Sequence, residues 1–302
     1  MLIGVDVGGT NLRIGVIDGL KIIDEQRANA DFSGLCKSNA PDSALQAIHL
    51  VLTDALNSTL LKFPAVQAIG LGFPGFIVSG RVAQSPNLPG LLDVDLVTPL
   101  QHALQRPVII ENDALAAAYG EYCLNSLGSG GLVYLGLGTG VGGGLITGGD
   151  PYPGEHGVAM EVGHIITAPG GRLCGCGNRG CMEQYASASG VVQTYFETTQ
   201  QRLSAHQIAQ RAEAGEGAAI DAYAVAGMAL AQALAHILKV ADVGHVVIGG
   251  GMSAAWRLLE PAFTAQLEQD LIPALRGKVV VSISQAGDQA GMIGAALLAS
   301  RK

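Results

Sequence analysis

A β-rich run, a turn of glycine and threonine, and a second β-rich run occur twice in this chain. No other feature narrows its fold as much. Residues 2–7 and 12–17 flank Gly8-Gly9-Thr10-Asn11, and residues 131–137 and 141–147 flank Gly138-Thr139-Gly140. Each pair reads as a β-hairpin. The copies lie roughly 130 residues apart, well outside the short periods of solenoids and propellers, so they indicate a duplicated architecture. A third strand is expected over 21–29, further strands over 66–73, 108–110, 243–248 and 278–284, and helices over 42–62, 95–105, 112–123, 187–198, 204–213, 217–240 and 290–300. Leu45, Ile48, Leu52, Leu56 and Leu60 share one helical face. The mixture is α/β, with a domain boundary expected near 115–130.

The 302 residues suffice for two domains. Net charge is −8 with no Lys/Arg run, which argues against nucleic-acid binding through a basic patch. A small anion needs no basic surface where backbone N–H groups hold it. The start Met1-Leu-Ile-Gly-Val-Asp6 lacks the basic and apolar regions of a signal peptide. The apolar run 218–240 contains Asp221, Gln232 and His236, so it reads as a buried helix rather than a membrane span. A soluble, cytoplasmic protein is expected.

Three of the five cysteines fall in Cys174-Gly-Cys176-Gly-Asn-Arg-Gly-Cys181, ten residues after His164. Three thiolates and an imidazole suit a tetrahedral zinc ion, and four protein ligands close its shell, which favours a structural site over a catalytic one. Unpaired thiols or a strained disulfide are the alternatives. Glu161 and Glu183 bracket the cluster as candidate acceptors for vicinal hydroxyls; each could equally be a solvated charge. A metal on one ring nitrogen of His164 would leave the other as an oriented N–H donor.

Asp6 stands at a strand end before a tight turn. Backbone N–H groups of Gly8, Gly9, Thr10 and Asn11 could meet phosphate oxygens, and Asp6 could hold the Mg2+ that accompanies ATP, through water. Gly138, Thr139 and Gly140 offer a second cradle, and Gly249-Gly250-Gly251 could face adenine and ribose. Ordinary glycine turns are the competing reading for all three. Asn112-Asp113 sits where a strand hands over to a helix. Both residues are favoured helix caps, and a carboxylate there could also accept a proton from a hydroxyl attacking phosphorus.

Asp6-x-Gly8-Gly9-Thr10, Glu111-Asn112-Asp113-Ala114, Gly138-Thr139-Gly140-x-Gly142-Gly143-Gly144, Glu161-x-Gly163-His164 and Cys174-x-Cys176-Gly-x-x-Gly-Cys181-x-Glu183 occur in that order. This set resembles the ROK family (repressors, open reading frames, kinases) of the actin-like ATPase superfamily, across nearly the whole chain. The resemblance implies two actin-like (ribonuclease H-like) α/β domains flanking an active-site cleft: 1–118 plus 290–302, and 119–289 with a zinc-binding segment at 161–183. It implies ATP-dependent phosphorylation of a hexose hydroxyl, with glucose to glucose 6-phosphate first and N-acetylmannosamine or N-acetylglucosamine as alternatives. Asp113 matches the general base. Gly75, Asn87, Asn112, Asp113, Glu161, His164 and Glu183 match sugar contacts. His164, Cys174, Cys176 and Cys181 match ligands of a structural zinc. A homodimer with ATP and hexose as partners follows, without nucleic acid or membrane. A sugar-responsive repressor is the reading from another class, and it would need a DNA-binding segment ahead of Asp6. Two residues depart from the usual pattern: Leu115 where many members have Asn, and Met160 where many have Gly, beside the implied sugar pocket.

Overall fold

The computed structural model describes residues 1–301. β1 (Leu2–Val7), β2 (Asn11–Asp18) and β3 (Lys21–Asn29) form an antiparallel meander, followed by α1 (Phe32–Ser38) and α2 (Pro41–Lys62). α1 is capped by Asp31, whose Oδ1 accepts from the Gly34 N–H at 2.8 Å. α2 opens on Pro41 and buries Ala44, Ile48, Leu52 and Leu56, one stripe at four-residue spacing. β4 (Ile69–Phe73) lies parallel to β1. A separate small antiparallel sheet of β5 (Phe76–Val78), β6 (Arg81–Gln84) and β7 (Leu92–Val94) follows, then α3 (Val97–Leu104), β8 (Val108–Asn112) and α4 (Asp113–Leu124). The order in the first large sheet is β3-β2-β1-β4-β8.

The second half repeats this. β9 (Leu132–Leu137), β10 (Val141–Thr147) and β11 (Asp150–Pro151) lead to α5 (Glu183–Ala186), α6 (Ala188–Thr199), α7 (Ala205–Glu213) and α8 (Gly217–Ala241). β12 (His245–Gly249), α9 (Trp256–Asp270), β13 (Val280–Ile283) and α10 (Ala290–Ala299) complete the chain. The second sheet runs β11-β10-β9-β12-β13. Counted within each half, both sheets have the order 3-2-1-4-5, with the fourth strand parallel to the first and to the fifth. The echoed hairpins were therefore the visible part of a whole repeated sheet.

Two compact units result. One comprises Met1–Ser129, Gly144–Ala159 and the segment from Gln289 onward; the other comprises Gly130–Gly143 and Met160–Asp288. In the first, α10 packs on β1, β4 and α4. It can do so because glycines stand opposite it: a Cβ on Gly4 would strike the Met292 carbonyl, and one on Gly70 the Ala295 carbonyl. In the second, α8 is long and apolar enough to cross a membrane by composition alone. It buries Ala226, Leu230, Leu234 and Leu238 within the unit, and Gly227 leaves no room for a side chain against the Leu259 carbonyl of α9. The strand expected from Val66 begins at Ile69, because Val66 turns inward and its carbonyl accepts from Arg106 Nε at 2.9 Å rather than joining the sheet.

Candidate functional site

In the first unit, β1, β4 and β8 run side by side and parallel. Their register places Asp6 beside Gly72 and Gly72 beside Glu111, a single row at the carboxyl ends of the strands. Open α/β sheets bind ligands at that edge. The position of a Cβ on Gly72 would lie 3.4 Å from the Val5 carbonyl and 3.7 Å from the Asp113 Cα, so the start of α4 sits within van der Waals reach of the row. The turn after Asp6 closes through Gly8 N–H to the Asn11 carbonyl at 2.8 Å. It is tied to the start of α1 by Ser33 N–H to the Gly9 carbonyl at 2.9 Å and Ala30 N–H to the Thr10 carbonyl at 3.2 Å.

Asn112 uses its whole side chain. Oδ1 accepts from Leu115 N–H at 3.0 Å and caps α4, while Nδ2 donates to the Gly75 carbonyl at 3.0 Å. Asp113 is the first residue of that helix, and its Oδ1 accepts from Ala114 N–H at 2.8 Å. The cap therefore fixes the carboxylate at the helix N-terminus and joins it to the Pro74-Gly75 turn. Gly75 itself cannot carry a Cβ, which would lie 2.7 Å from the Gln84 carbonyl. Ser85 Oγ closes the same corner on the Pro74 carbonyl. Asn87 stands exposed on the next turn, which buried Leu88 anchors. Asn112→Ala removes both hydrogen bonds. It is expected to cost roughly 1–2 kcal/mol in urea unfolding, the scale of a lost cap plus one stranded carbonyl; a change under about 0.5 kcal/mol would show that Asn112 does not hold this corner.

In the second unit, the 164–181 segment folds into a knuckle. The ligand atoms of His164, Cys174, Cys176 and Cys181 all lie within 4.8 Å of one another. Cys174 Sγ is 3.6 Å from His164 Nδ1, and Cys176 Sγ is 3.6 Å from Cys181 Sγ. A tetrahedral ion with sulfur bonds of about 2.3 Å and nitrogen bonds of about 2.1 Å spaces its ligands by roughly 3.5–3.8 Å. All the cysteines are free thiols, so the disulfide alternative does not hold. Burial pushes the Cys181 thiol up to about 12, whereas the Asn178 backbone N–H pulls exposed Cys176 down. A cation is what would let such neighbouring thiols ionise together.

Around the knuckle lie the two acids. His164 Nε2 is 3.8 Å from Glu161 Oε2, so the ring presents one nitrogen to the cysteines and the other to a carboxylate. The surrounding protein raises the Glu161 pKa, an effect opposed by His164 and reinforced by Glu183. Glu183 opens α5, with Oε2 accepting from Val141 N–H at 3.0 Å and Oε1 lying 3.9 Å from Cys174 Sγ. The second glycine turn is thus part of the same cluster: Gly138 N–H donates to the Gly140 carbonyl at 2.9 Å, and Ala188 N–H to the Gly138 carbonyl at 2.9 Å. Gly250 joins it with φ +77°, where a Cβ would strike the Leu137 carbonyl.

The sequence missed several residues of this site. Arg172, Gln184 and Tyr185 clamp the knuckle, and nothing in their spacing marks them. Met160 adopts φ +65°, a left-handed conformation that costs most side chains about 1–2 kcal/mol. That is why a glycine suits the position before Glu161. Met160→Gly is expected to raise the urea midpoint by about 0.5–1 kcal/mol equivalent, the relieved strain less the added freedom of the unfolded chain. A destabilised variant would mean that the methionine side chain contributes packing that outweighs its strain.

The profile of the ROK family matches residues 2–302. The chain belongs to the ROK family. The glucokinase of Streptomyces coelicolor is 30% identical to this ROK chain over 99% of it and 97% of the relative. The N-acetylmannosamine kinase of Citrobacter koseri is 32% identical, over 98% of both chains. Among solved structures, a ROK family glucokinase from Streptomyces griseus in complex with glucose and AMPPNP superposes with a TM-score of 0.80 at 29% identity, covering 100% of this chain and 99% of that one. The mixed α/β fold of this ROK chain is therefore that of known ROK kinases, end to end.

Proposed function

We propose that this chain transfers the γ-phosphoryl group of ATP to a hexose hydroxyl, converting glucose to glucose 6-phosphate. The observation that carries this reading is full-length likeness to a glucokinase seen with glucose and AMPPNP, in a chain whose Asp113 opens a helix at a sheet's carboxyl edge. Asp113 accepts the proton of the 6-hydroxyl as that oxygen attacks the γ-phosphorus, and ADP leaves. Backbone N–H groups of the Gly8–Asn11 and Gly138–Gly140 turns take phosphate oxygens, and Gly249, Gly250 and Gly251 take the nucleoside. Asp6 would hold Mg2+, which supplies charge neutralisation to the phosphates when bound. Gly75, Asn87, Asn112, Glu161, His164 and Glu183 orient the sugar.

The donor set and spacing at His164, Cys174, Cys176 and Cys181 fit a structural zinc ion, which would keep His164 Nε2 directed at a substrate oxygen. Purified protein is expected to carry about one zinc per chain by atomic absorption, and Cys176→Ser or Cys181→Ser to carry less than a tenth of that. Native-level zinc in either variant would rule out this ligand set. The reading includes a cytoplasmic homodimer.

The 32% identity to an N-acetylmannosamine kinase supports N-acetylmannosamine as the second candidate substrate. A coupled ADP-release assay with Mg-ATP across glucose, mannose, fructose, N-acetylglucosamine and N-acetylmannosamine separates the two. Turnover with an N-acetyl sugar and none with glucose would replace the glucokinase reading; no turnover with any sugar would remove the kinase reading altogether.

A further inference from the structure

We propose that Glu183 positions the Gly138–Val141 turn and ties it to the metal knuckle, so that the state of the cysteine cluster sets nucleotide affinity. The inference rests on the reading that this turn binds the nucleotide's phosphates. Glu183 Oε2 accepts from Val141 N–H at 3.0 Å. The same oxygen fills the space that a Cβ on Gly140 would need, so the turn closes on the carboxylate only because residue 140 is glycine. A second tie comes from the same short stretch, Ala188 N–H to the Gly138 carbonyl at 2.9 Å. From the other side, a Cβ on Gly163 would lie 2.6 Å from the Val141 carbonyl, so the segment carrying His164 packs on the end of the turn.

The same end of α5 is fastened to the knuckle. Gln184 Nε2 donates to Cys174 Sγ at 3.6 Å, and Glu183 Oε1 lies 3.9 Å from that sulfur. Arg172, two residues before Cys174, donates from Nη1 to the Gln184 carbonyl at 2.7 Å and stacks 4.6 Å above the Tyr185 ring. Its Nε and Nη2 grip Glu197 at 3.1 and 2.6 Å. The knuckle, α5 and the turn therefore share one chain of polar contacts, with Glu183 as the link. Loosening the knuckle frees Glu183, and a turn that must be ordered on binding pays for that order in affinity. Glu183 acts here through the turn, as a positioning residue in addition to any sugar contact.

The test uses the full chain in five forms: native, native stripped of metal by a chelator, Glu183→Ala, Glu183→Gln and Arg172→Met. Arg172→Met serves as a second route to the same loosening. AMPPNP affinity is read by calorimetry without sugar, and amide hydrogen exchange is read on the peptide spanning 138–143. Glu183→Ala and the stripped protein are expected to bind AMPPNP about tenfold more weakly and to exchange the Val141 amide about tenfold faster, the scale of one lost hydrogen bond to a charged group. Glu183→Gln keeps an acceptor oxygen and should stay within about threefold of native in both. Native affinity and exchange in Glu183→Ala, or in the stripped protein, would overturn the proposal. A native chain that fails to bind AMPPNP would overturn the nucleotide role of the turn, and the exchange rates alone would then decide the brace.

Discussion

Asp113→Asn is expected to lower kcat for sugar-dependent ATP turnover by about 10³-fold, within the range for losing a general base. The variant keeps the shape of the side chain and an oxygen able to accept the Ala114 N–H, so α4 should start as before. KM for sugar should move by less than about threefold, because the asparagine oxygen can still accept a hydrogen bond from the sugar hydroxyl in the ground state but cannot take its proton in the transition state. Steady-state kinetics on the best sugar of the panel, with circular dichroism to verify the helix, gives the answer. An asparagine variant with more than a tenth of native kcat would falsify the assignment of Asp113 as base. A large rise in KM with kcat unchanged would make it a binding residue instead.

Gly294→Val is expected to cost more than about 3 kcal/mol of folding free energy, and so to take much of a typical 5–15 kcal/mol margin. Gly294 sits in α10 where it crosses α4. A Cβ there would strike the Ala116 carbonyl and lie 2.6 Å from the Gly120 nitrogen, both backbone atoms with no rotamer to yield. The contact is reciprocal: Gly120 on α4 is excluded from bearing a side chain by the Ala290 carbonyl and lies opposite the Gly294 nitrogen. Valine can be accommodated only by moving the helices apart, which opens the packing of Ala116, Met292 and Ala296, each fully buried. Gly291→Ala is the control in the same helix, since a Cβ there meets nothing within 4 Å. It should stabilise by about 0.5–1 kcal/mol through helix propensity alone. Urea unfolding of both variants makes the comparison, and equal effects would remove the close-approach explanation.

The gap between those two glycines marks the limit of reading this chain by itself. Gly291 and Gly294 look alike in sequence, and nothing local distinguishes them. Strands and helices with strong periodicity were legible: the stripe of Ile48, Leu52 and Leu56 on α2, and the two hairpins whose echo became two sheets of identical order. The small β5-β6-β7 sheet was not legible. Its strands of three or four residues are too short to show alternation; β5 and β6 pair across the Ser79-Gly80 turn, and β7 returns to β6 by a loop that buries Leu88 and Leu91. Helix α1 escaped for the same reason, with seven residues and an Asp cap as its only local signal.

At the candidate site the division is similar. The spacing of Cys174, Cys176 and Cys181 placed three thiols within a few residues of each other whatever the fold. So did Glu161 with His164, which are neighbours on any turn. The order of turns and the cap at Asn112 were likewise properties of the string. Tertiary structure alone decided that Glu183 reaches Val141, 42 residues earlier, and that Asn112 reaches the Gly75 carbonyl, 37 residues earlier. It also decided that Met160 is held left-handed and that Gly144 joins the first unit by packing on Ala114 and Ala118. Local residue pattern carries interactions over one or two turns of helix or one hairpin, because that is the reach of backbone hydrogen bonds and neighbouring side chains. Contacts between distant segments depend on how whole sheets and helices pack, and that packing is settled by the sum of many buried surfaces.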